Sequence, residues 1–175
     1  MNSHPERYTL FTGEQIKSAV SRLATEITAE YRDKNPVLIG ILKGVFIFMA
    51  DLVRRLDFPL EAEFVRLSSY GRGRQTSGKV KVVQGLHCPV KDRHVLVVED
   101  IIDTGITVAF LMNHLEKKKP ASLKLCTLLD KPSRRRIPVE IDYLGYTVPD
   151  KFLVGYGLDC DEQYRNLPEI CYLED

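Results

Sequence analysis

Three short apolar runs constrain this chain more than any other feature. They are Val37–Leu42, residues 95–98 (Val-Leu-Val-Val) and residues 123–129 (Leu-Lys-Leu-Cys-Thr-Leu-Leu). A strand with one wet face alternates apolar and polar residues, whereas a run with little alternation is a strand covered on both faces. Helical patterns lie between the runs. Ile16, Val20, Leu23, Ala24, Ile27 and Tyr31 share one helical face over residues 12–32. Thr12 and Gln15 have the spacing of a capping box, and Asn35-Pro36 stops the helix. Residues 45–56 and a stretch from about Thr107 to Lys118 read as further helices. Strands alternating with helices predict an α/β fold with a mostly parallel central sheet flanked by helices. Further strands are expected at 61–67, 80–83, 143–148 and 152–155, while the tail after Leu158 has no clear periodicity.

Each run ends abruptly in charge or glycine: Leu42-Lys43-Gly44, Val98-Glu99-Asp100 and Leu129-Asp130-Lys131. Parallel pairing puts these turns at one edge of the sheet, where ligands of open parallel sheets bind. Lysines, carboxylates and a glycine turn entering a helix suit an anionic ligand with a divalent cation better than an apolar one. Asp103-Thr104-Gly105-Ile106-Thr107 is the phosphate candidate. Helix N-termini carry N–H groups without intrahelical partners and a partial positive charge. Gly105 lets an anion approach closely, and two threonine hydroxyls are at hand. The plain structural alternative is an N-cap turn with Asp103 or Thr104 as cap. Glu99 and Asp100 suit sugar hydroxyls or Mg²⁺, against the alternative of a solvated strand end. The nucleoside-triphosphate and dinucleotide glycine fingerprints are both absent.

Taken together, Val97-Val98-Glu99-Asp100-Ile101-Ile102-Asp103-Thr104-Gly105-Ile106-Thr107 resembles the phosphoribosyl pyrophosphate signature of type I phosphoribosyltransferases, and more narrowly that of the hypoxanthine-guanine phosphoribosyltransferase family. Ile41-Leu42-Lys43-Gly44 is similar to that family's pyrophosphate loop, and Ser69-Tyr70-Gly71 to the start of its lid. Residues 149–159 (Pro-Asp-Lys-Phe-Leu-Val-Gly-Tyr-Gly-Leu-Asp) resemble its purine-binding strand and loop, and Tyr164-Arg165-Asn166-Leu167-Pro168 its closing segment. Two departures are mild: Ile106 fills a variable position, and Val45 follows Gly44 where some members have a second glycine.

The resemblance implies a single domain over residues 1–175, with a small hood and a flexible lid over 68–85. It implies transfer of a phosphoribosyl group to N9 of a 6-oxopurine, with Mg²⁺ as cofactor, in a cytoplasmic homodimer or homotetramer. Its roles map onto this chain as follows. Asp103 is the general base. Glu99, Asp100, Asp103, Thr104, Gly105, Ile106 and Thr107 hold the ribose and 5′-phosphate, and Lys43, Gly44 and Arg165 hold pyrophosphate. Lys131, Phe152, Leu153, Leu158 and Asp159 hold the purine, Ser69 and Tyr70 open the lid, and Glu99, Asp100 and Asp159 attend the metal. Read without it, Lys131 is a solvated lysine, Phe152 a core aromatic, Asp159 part of an acidic turn, and the lid an ordinary surface loop.

Composition narrows the partners. Basic and acidic residues number 25 and 24, for a formal charge of +1, which does not indicate a nucleic-acid binder. No apolar run approaches the ~20 residues that span a bilayer, and the segment Met1 to Arg7 has no signal-peptide core. Cys88, Cys126, Cys160 and Cys171 form no C-x-x-C pair and are expected to be reduced, with Cys126 in the core. The four histidines lack metal-ligand spacing. Lys117-Lys118-Lys119 suits a helix C-terminus, and Arg134-Arg135-Arg136, near Lys131, suits an anion or a subunit contact. Three functions are open at this point: 6-oxopurine salvage, a xanthine-preferring transferase, and a non-enzymatic regulator that binds nucleic acid. Asp103, Lys131 and Phe152 together favour the first.

Overall fold

The computed structural model describes residues 6–69 and 80–174. In chain order the elements are β1 (Glu6–Phe11), α1 (Gly13–Tyr31), β2 (Val37–Leu42), α2 (Phe46–Val53), β3 (Glu61–Ser69), β4 (Val80–Gln84), β5 (His94–Ile102), α3 (Ile106–Glu116), β6 (Ser122–Asp130), β7 (Tyr143–Thr147), β8 (Phe152–Val154) and β9 (Ile170–Glu174), with a 3-10 turn at Pro132–Arg134. A six-stranded sheet runs in the order β4-β3-β2-β5-β6-β7, parallel except for β4. A smaller antiparallel sheet, β1-β9-β8, forms the expected hood.

The apolar runs are covered on both faces, as their lack of alternation requires. Leu38, Leu96, Val98 and Cys126 pack with α1 and α2, while Val37, Ile39, Val95, Val97 and Leu125 pack with α3. Odd and even residues of one strand thus feed two separate cores. The α1 capping box forms: the Gln15 amide donates to Thr12 Oγ1 at 3.3 Å, and the Thr12 amide donates to Gln15 Oε1 at 2.8 Å. All six apolar positions read onto that helix are buried. The cysteines are all free, Cys126 fully buried among them. Among the described residues, no helix is long and apolar enough to cross a membrane.

Four expectations change. β5 does not end at Val98 but continues through Glu99 and Asp100 to Ile102, because β6 keeps pairing with it as far as Ile102–Asp130. Ser68 and Ser69 belong to β3, where β4 pairs with them, so the loop starts later than the polarity suggests. The second helix is shorter than 45–56, with Val45 as its N-cap. The tail contains a strand: β9 sits between β1 and β8, and neither β1 nor β9 carries the alternation of a longer strand. Tyr70 and the following residues of the expected lid, to position 79, lie outside the described residues.

Candidate functional site

Register brings the strand ends together. Gly40 pairs with Val98, which sets the end of β2 beside Asp100, and Ile102 pairs with Asp130, which levels the ends of β5 and β6. A cleft of about 450 Å³ opens at this edge. Lys43, Gly44, Asp100, Asp103, Lys131, Phe152, Leu153, Leu158, Asp159 and Arg165 all line it. A second depression of about 190 Å³ adjoins it, lined by Glu99, Asp100, Asp103, Thr104, Gly105 and Thr107 among others. Ile106 lines neither, and Ser69 is placed only as the last residue of β3.

The turn from β5 into α3 is held from behind. Gly105, not Asp103 or Thr104, is the N-cap, and its φ of +80° suits glycine; the Thr104 hydroxyl accepts from the Ile106 amide at 3.4 Å. A Cβ on Gly105 would lie 2.3 Å from the Ile137 carbonyl oxygen. The Thr104 carbonyl accepts from the amides of Arg136 (2.9 Å) and Ile137 (3.0 Å). Arg135 Nε donates to the Asp103 carbonyl at 3.1 Å, and its guanidinium also reaches the Ile102 carbonyl (3.3 Å) and the Asp130 carboxylate. With these carbonyls engaged on one side, the depression lies against the first turn of α3, whose N–H groups lack intrahelical partners. Backbone N–H groups in such a position can take an anion. Sequence reasoning offers an anion or a subunit contact for the arginine cluster; within the chain, Arg135 grips the turn from β5 into α3.

Glu99 and Asp100 are neighbours on β5, and their carboxyl groups come together at the second depression, which both line. Glu99 is 6% exposed, and its carboxylate accepts from the Asp100 amide at 3.1 Å. Asp100 Oδ1 accepts from the Ile101 amide at 2.7 Å, and the carboxylate presses on Gly44, where a Cβ would lie 1.7 Å from Oδ2. Any side chain at position 44 would force the Asp100 carboxylate to move. The pair is not a solvated strand end. Burial, reinforced by the Asp100 charge, raises the Glu99 carboxyl well above its usual range. Burial also raises Asp100, opposed by its hydrogen bonds and by Arg165. Two buried acids with raised pKa values fit a nearby cation or hydroxyl donors. Among the described residues no cluster of three or more acidic, histidine or cysteine side chains forms a metal cage. Mg²⁺ is commonly held by one or two carboxylates, with water and substrate phosphate oxygens completing its shell, so Glu99 and Asp100 are of the type that could hold it.

Lys131 is 5% exposed, and its Nζ donates to the Lys151 carbonyl at 2.6 Å. Burial lowers its pKa, opposed by Asp103 and Asp150. An ammonium carries three donors, so others remain for a ligand. Phe152 is 50% exposed and lines the cleft, unlike a core aromatic. Arg165 donates to the Gly157 carbonyl at 2.7 Å and pairs with Asp159 at 2.9 Å. Two polar atoms of the cleft are buried without a hydrogen-bond partner: Asp103 Oδ1 and Arg165 Nε. The Arg134 guanidinium is 3.6 Å from Asp103 Oδ1, an ion pair but too long for a hydrogen bond. Native structures leave few such groups orphaned, and one acceptor and one donor in the same cleft fit a ligand that offers both complements. Sequence reasoning did not single out Glu162, which also lines the cleft; it lies in a run of acids that reads as solvated.

Comparison with known proteins agrees with this geometry. A family model described as phosphoribosyl transferase domain matches residues 8–161. The hypoxanthine-guanine phosphoribosyltransferase of Bacillus subtilis is 45% identical over 174 residues, covering 99% of this chain and 97% of that protein. A crystal structure of a hypoxanthine-guanine phosphoribosyltransferase from Bacillus anthracis, 43% identical, superposes with a TM-score of 0.92 and covers 98% of this chain and 100% of its own. The bifunctional protein TilS/HprT of Listeria innocua is 46% identical over 94% of this chain, and the chain spans 26% of that protein's length.

Proposed function

The chain belongs to the phosphoribosyl transferase family, and from that premise we propose that it transfers the 5-phosphoribosyl group of phosphoribosyl pyrophosphate to N9 of hypoxanthine or guanine, releasing IMP or GMP and pyrophosphate. The observation that carries this reading is the pair of orphaned groups in one cleft. Asp103 Oδ1 needs a donor and Arg165 Nε needs an acceptor. A purine with a proton at N7 and a pyrophosphate supply one each.

The roles proposed are these. The turn from Asp103 to Thr107 holds the 5′-phosphate, with N–H groups from the start of α3 and the Thr104 and Thr107 hydroxyls. Anchoring that remote charge fixes the anomeric carbon against the incoming base. Glu99 and Asp100 accept hydrogen bonds from the ribose hydroxyls. Lys43, Gly44 and Arg165 meet the pyrophosphate. Phe152 stacks on the purine, with Leu153 and Leu158 behind it. Lys131 donates to O6, which favours a keto purine over adenine, whose amino group is itself a donor.

In the reaction, the bond from the anomeric carbon to the pyrophosphate oxygen breaks and that oxygen keeps the electron pair. N9 forms the new bond to the same carbon. Asp103 accepts the proton from N7, and in reverse returns it. Asp100, Glu99 and Asp159 are the residues that would attend Mg²⁺, which would supply neutralisation of charge on the departing pyrophosphate. The same reading takes residues 1–175 as one domain that assembles as a cytoplasmic homodimer or homotetramer. Light scattering at micromolar concentration checks the assembly.

The direct test is ultraviolet-monitored turnover of hypoxanthine, guanine, xanthine and adenine with phosphoribosyl pyrophosphate and Mg²⁺. Turnover of hypoxanthine or guanine is expected, with adenine inert. Absence of turnover with every base, from a protein of native circular dichroism, overturns the reading.

A further inference from the structure

The two cations assigned to pyrophosphate are not free to receive it. Lys43 Nζ lies 2.8 Å from Glu162 Oε1, and Arg165 NH2 lies 3.2 Å from Glu162 Oε2. One carboxylate thus spans both, an oxygen to each, as a phosphoryl group would. We propose that Glu162 is a built-in counter-anion of the pyrophosphate subsite, which the donor and the product pyrophosphate must displace. The inference rests on the assignment of Lys43 and Arg165 to pyrophosphate above, and it adds a residue that sets affinity by competition.

Three features argue for a constructed contact rather than a stray surface pair. The carboxylate is aimed by its backbone. Asp161 and Glu162 both have left-handed φ values, +51° and +63°, which few non-glycine residues adopt. Paired amide hydrogen bonds between Cys160 and Gln163 close the turn, and the Glu162 amide donates to Asp159 Oδ2 at 2.9 Å. Second, Glu162 is the sole acidic partner of Lys43 among the described residues, so releasing it frees that cation. Third, the Glu162 side chain keeps 62% of its surface exposed, so it can leave into water without disturbing the core.

The chemistry gives the contact a use. Two like charges facing one cleft repel, and an intervening carboxylate holds them in place while no ligand is bound. A carboxylate with one negative charge yields to pyrophosphate with several, and its return lowers the affinity for the product. Glu162 therefore acts through Lys43 and Arg165 and touches no reacting atom.

Titration of the full chain with sodium pyrophosphate in the presence of Mg²⁺ tests this by calorimetry. Glu162→Gln keeps the side-chain shape and removes the charge. Exposed ion pairs are individually weak, so the gain in pyrophosphate affinity is expected to be roughly three- to tenfold. KM for phosphoribosyl pyrophosphate should fall by a similar factor, with KM for the purine unchanged, and pyrophosphate should become a stronger product inhibitor. Asp161→Asn removes an equal charge next door without touching either cation, and should leave all three near the parent values. Equal or weaker pyrophosphate binding by Glu162→Gln overturns the proposal, because the carboxylate would then be positioning the cations rather than competing for them. An equal gain in Asp161→Asn also overturns it, by reducing the effect to general charge. If the parent protein itself takes up no pyrophosphate, the assignment of Lys43 and Arg165 fails first, and the inference with it.

Discussion

The two walls of the cleft are built in different ways. The phosphoribosyl wall is one continuous stretch, Glu99 to Thr107, that leaves the sheet and enters a helix. What it offers a ligand is backbone N–H groups and in-strand carboxylates. The base and pyrophosphate wall is gathered from Lys43, Lys131, Phe152 and the segment from Leu158 to Arg165, which meet only in three dimensions. Its members are held by side-chain contacts, such as Lys131 on the Lys151 carbonyl and Arg165 on Asp159. A contiguous wall has its geometry set by strand and helix formation. A gathered wall depends on every pairing that brings its pieces near. Substitutions on the first should therefore act on catalysis or on the whole fold, and those on the second on ligand affinity.

The sharpest test of that contrast is Asp103→Asn. Loss of a general base is expected to lower kcat by about 10²- to 10⁴-fold, with the dissociation constant for phosphoribosyl pyrophosphate nearly unchanged. Stopped-flow turnover beside calorimetric binding checks it; an unchanged kcat would remove Asp103 from the reaction. Next in size is Gly44→Ala, where one wall packs against the Asp100 carboxylate of the other. Its new Cβ would collide with Asp100 Oδ2, and overpacking of this kind costs roughly 1–3 kcal/mol. A lower melting temperature and weakened binding of both substrates are expected together, and damage to only one would separate the walls. Phe152→Ala should raise KM for the purine by about tenfold through lost stacking and leave that for phosphoribosyl pyrophosphate alone. A fall in kcat without a change in KM would break the division of labour.

The smallest effect concerns stability. The Glu99 carboxyl is raised, so the folded protein holds a proton there that the unfolded chain has already released. Stability from this site is full below the ordinary value of 4.5 and is lost as pH rises through the raised value. Glu99→Gln removes that loss. Its melting temperature should exceed the parent's by a margin that grows with pH in metal-free buffer, while its donor affinity falls. A margin independent of pH would show that the carboxyl ionises freely.

The same contrast explains what could be read in advance. The apolar run into Glu99-Asp100 and the turn to Thr107 are local, so their order along the chain carries their geometry. The α1 capping box is legible for the same reason. Lys43, Lys131 and Arg165 were placed by resemblance, since an isolated cation has no local signature. Arg135 and Glu162 were missed as functional side chains because each acts on a group distant in the chain or across a turn. β1 and β9 were missed because a short strand in a small antiparallel sheet is defined by its partner, here more than 150 positions away, as in the pairing of Arg7 with Leu173. The continuation of β5 was hidden because acidic residues rarely end up inside a strand unless something there uses them.

The small sheet has a consequence for how the molecule is made. β8 carries Phe152, and its partner within that sheet is β9. During synthesis the large sheet can assemble as soon as β7 emerges, since all of its strands precede residue 148. The wall that receives the nucleobase must wait for Ile170–Glu174. The proposed sugar-phosphate turn is thus complete in the emerging chain before the strand that steadies Phe152, so the proposed base seat matures after it.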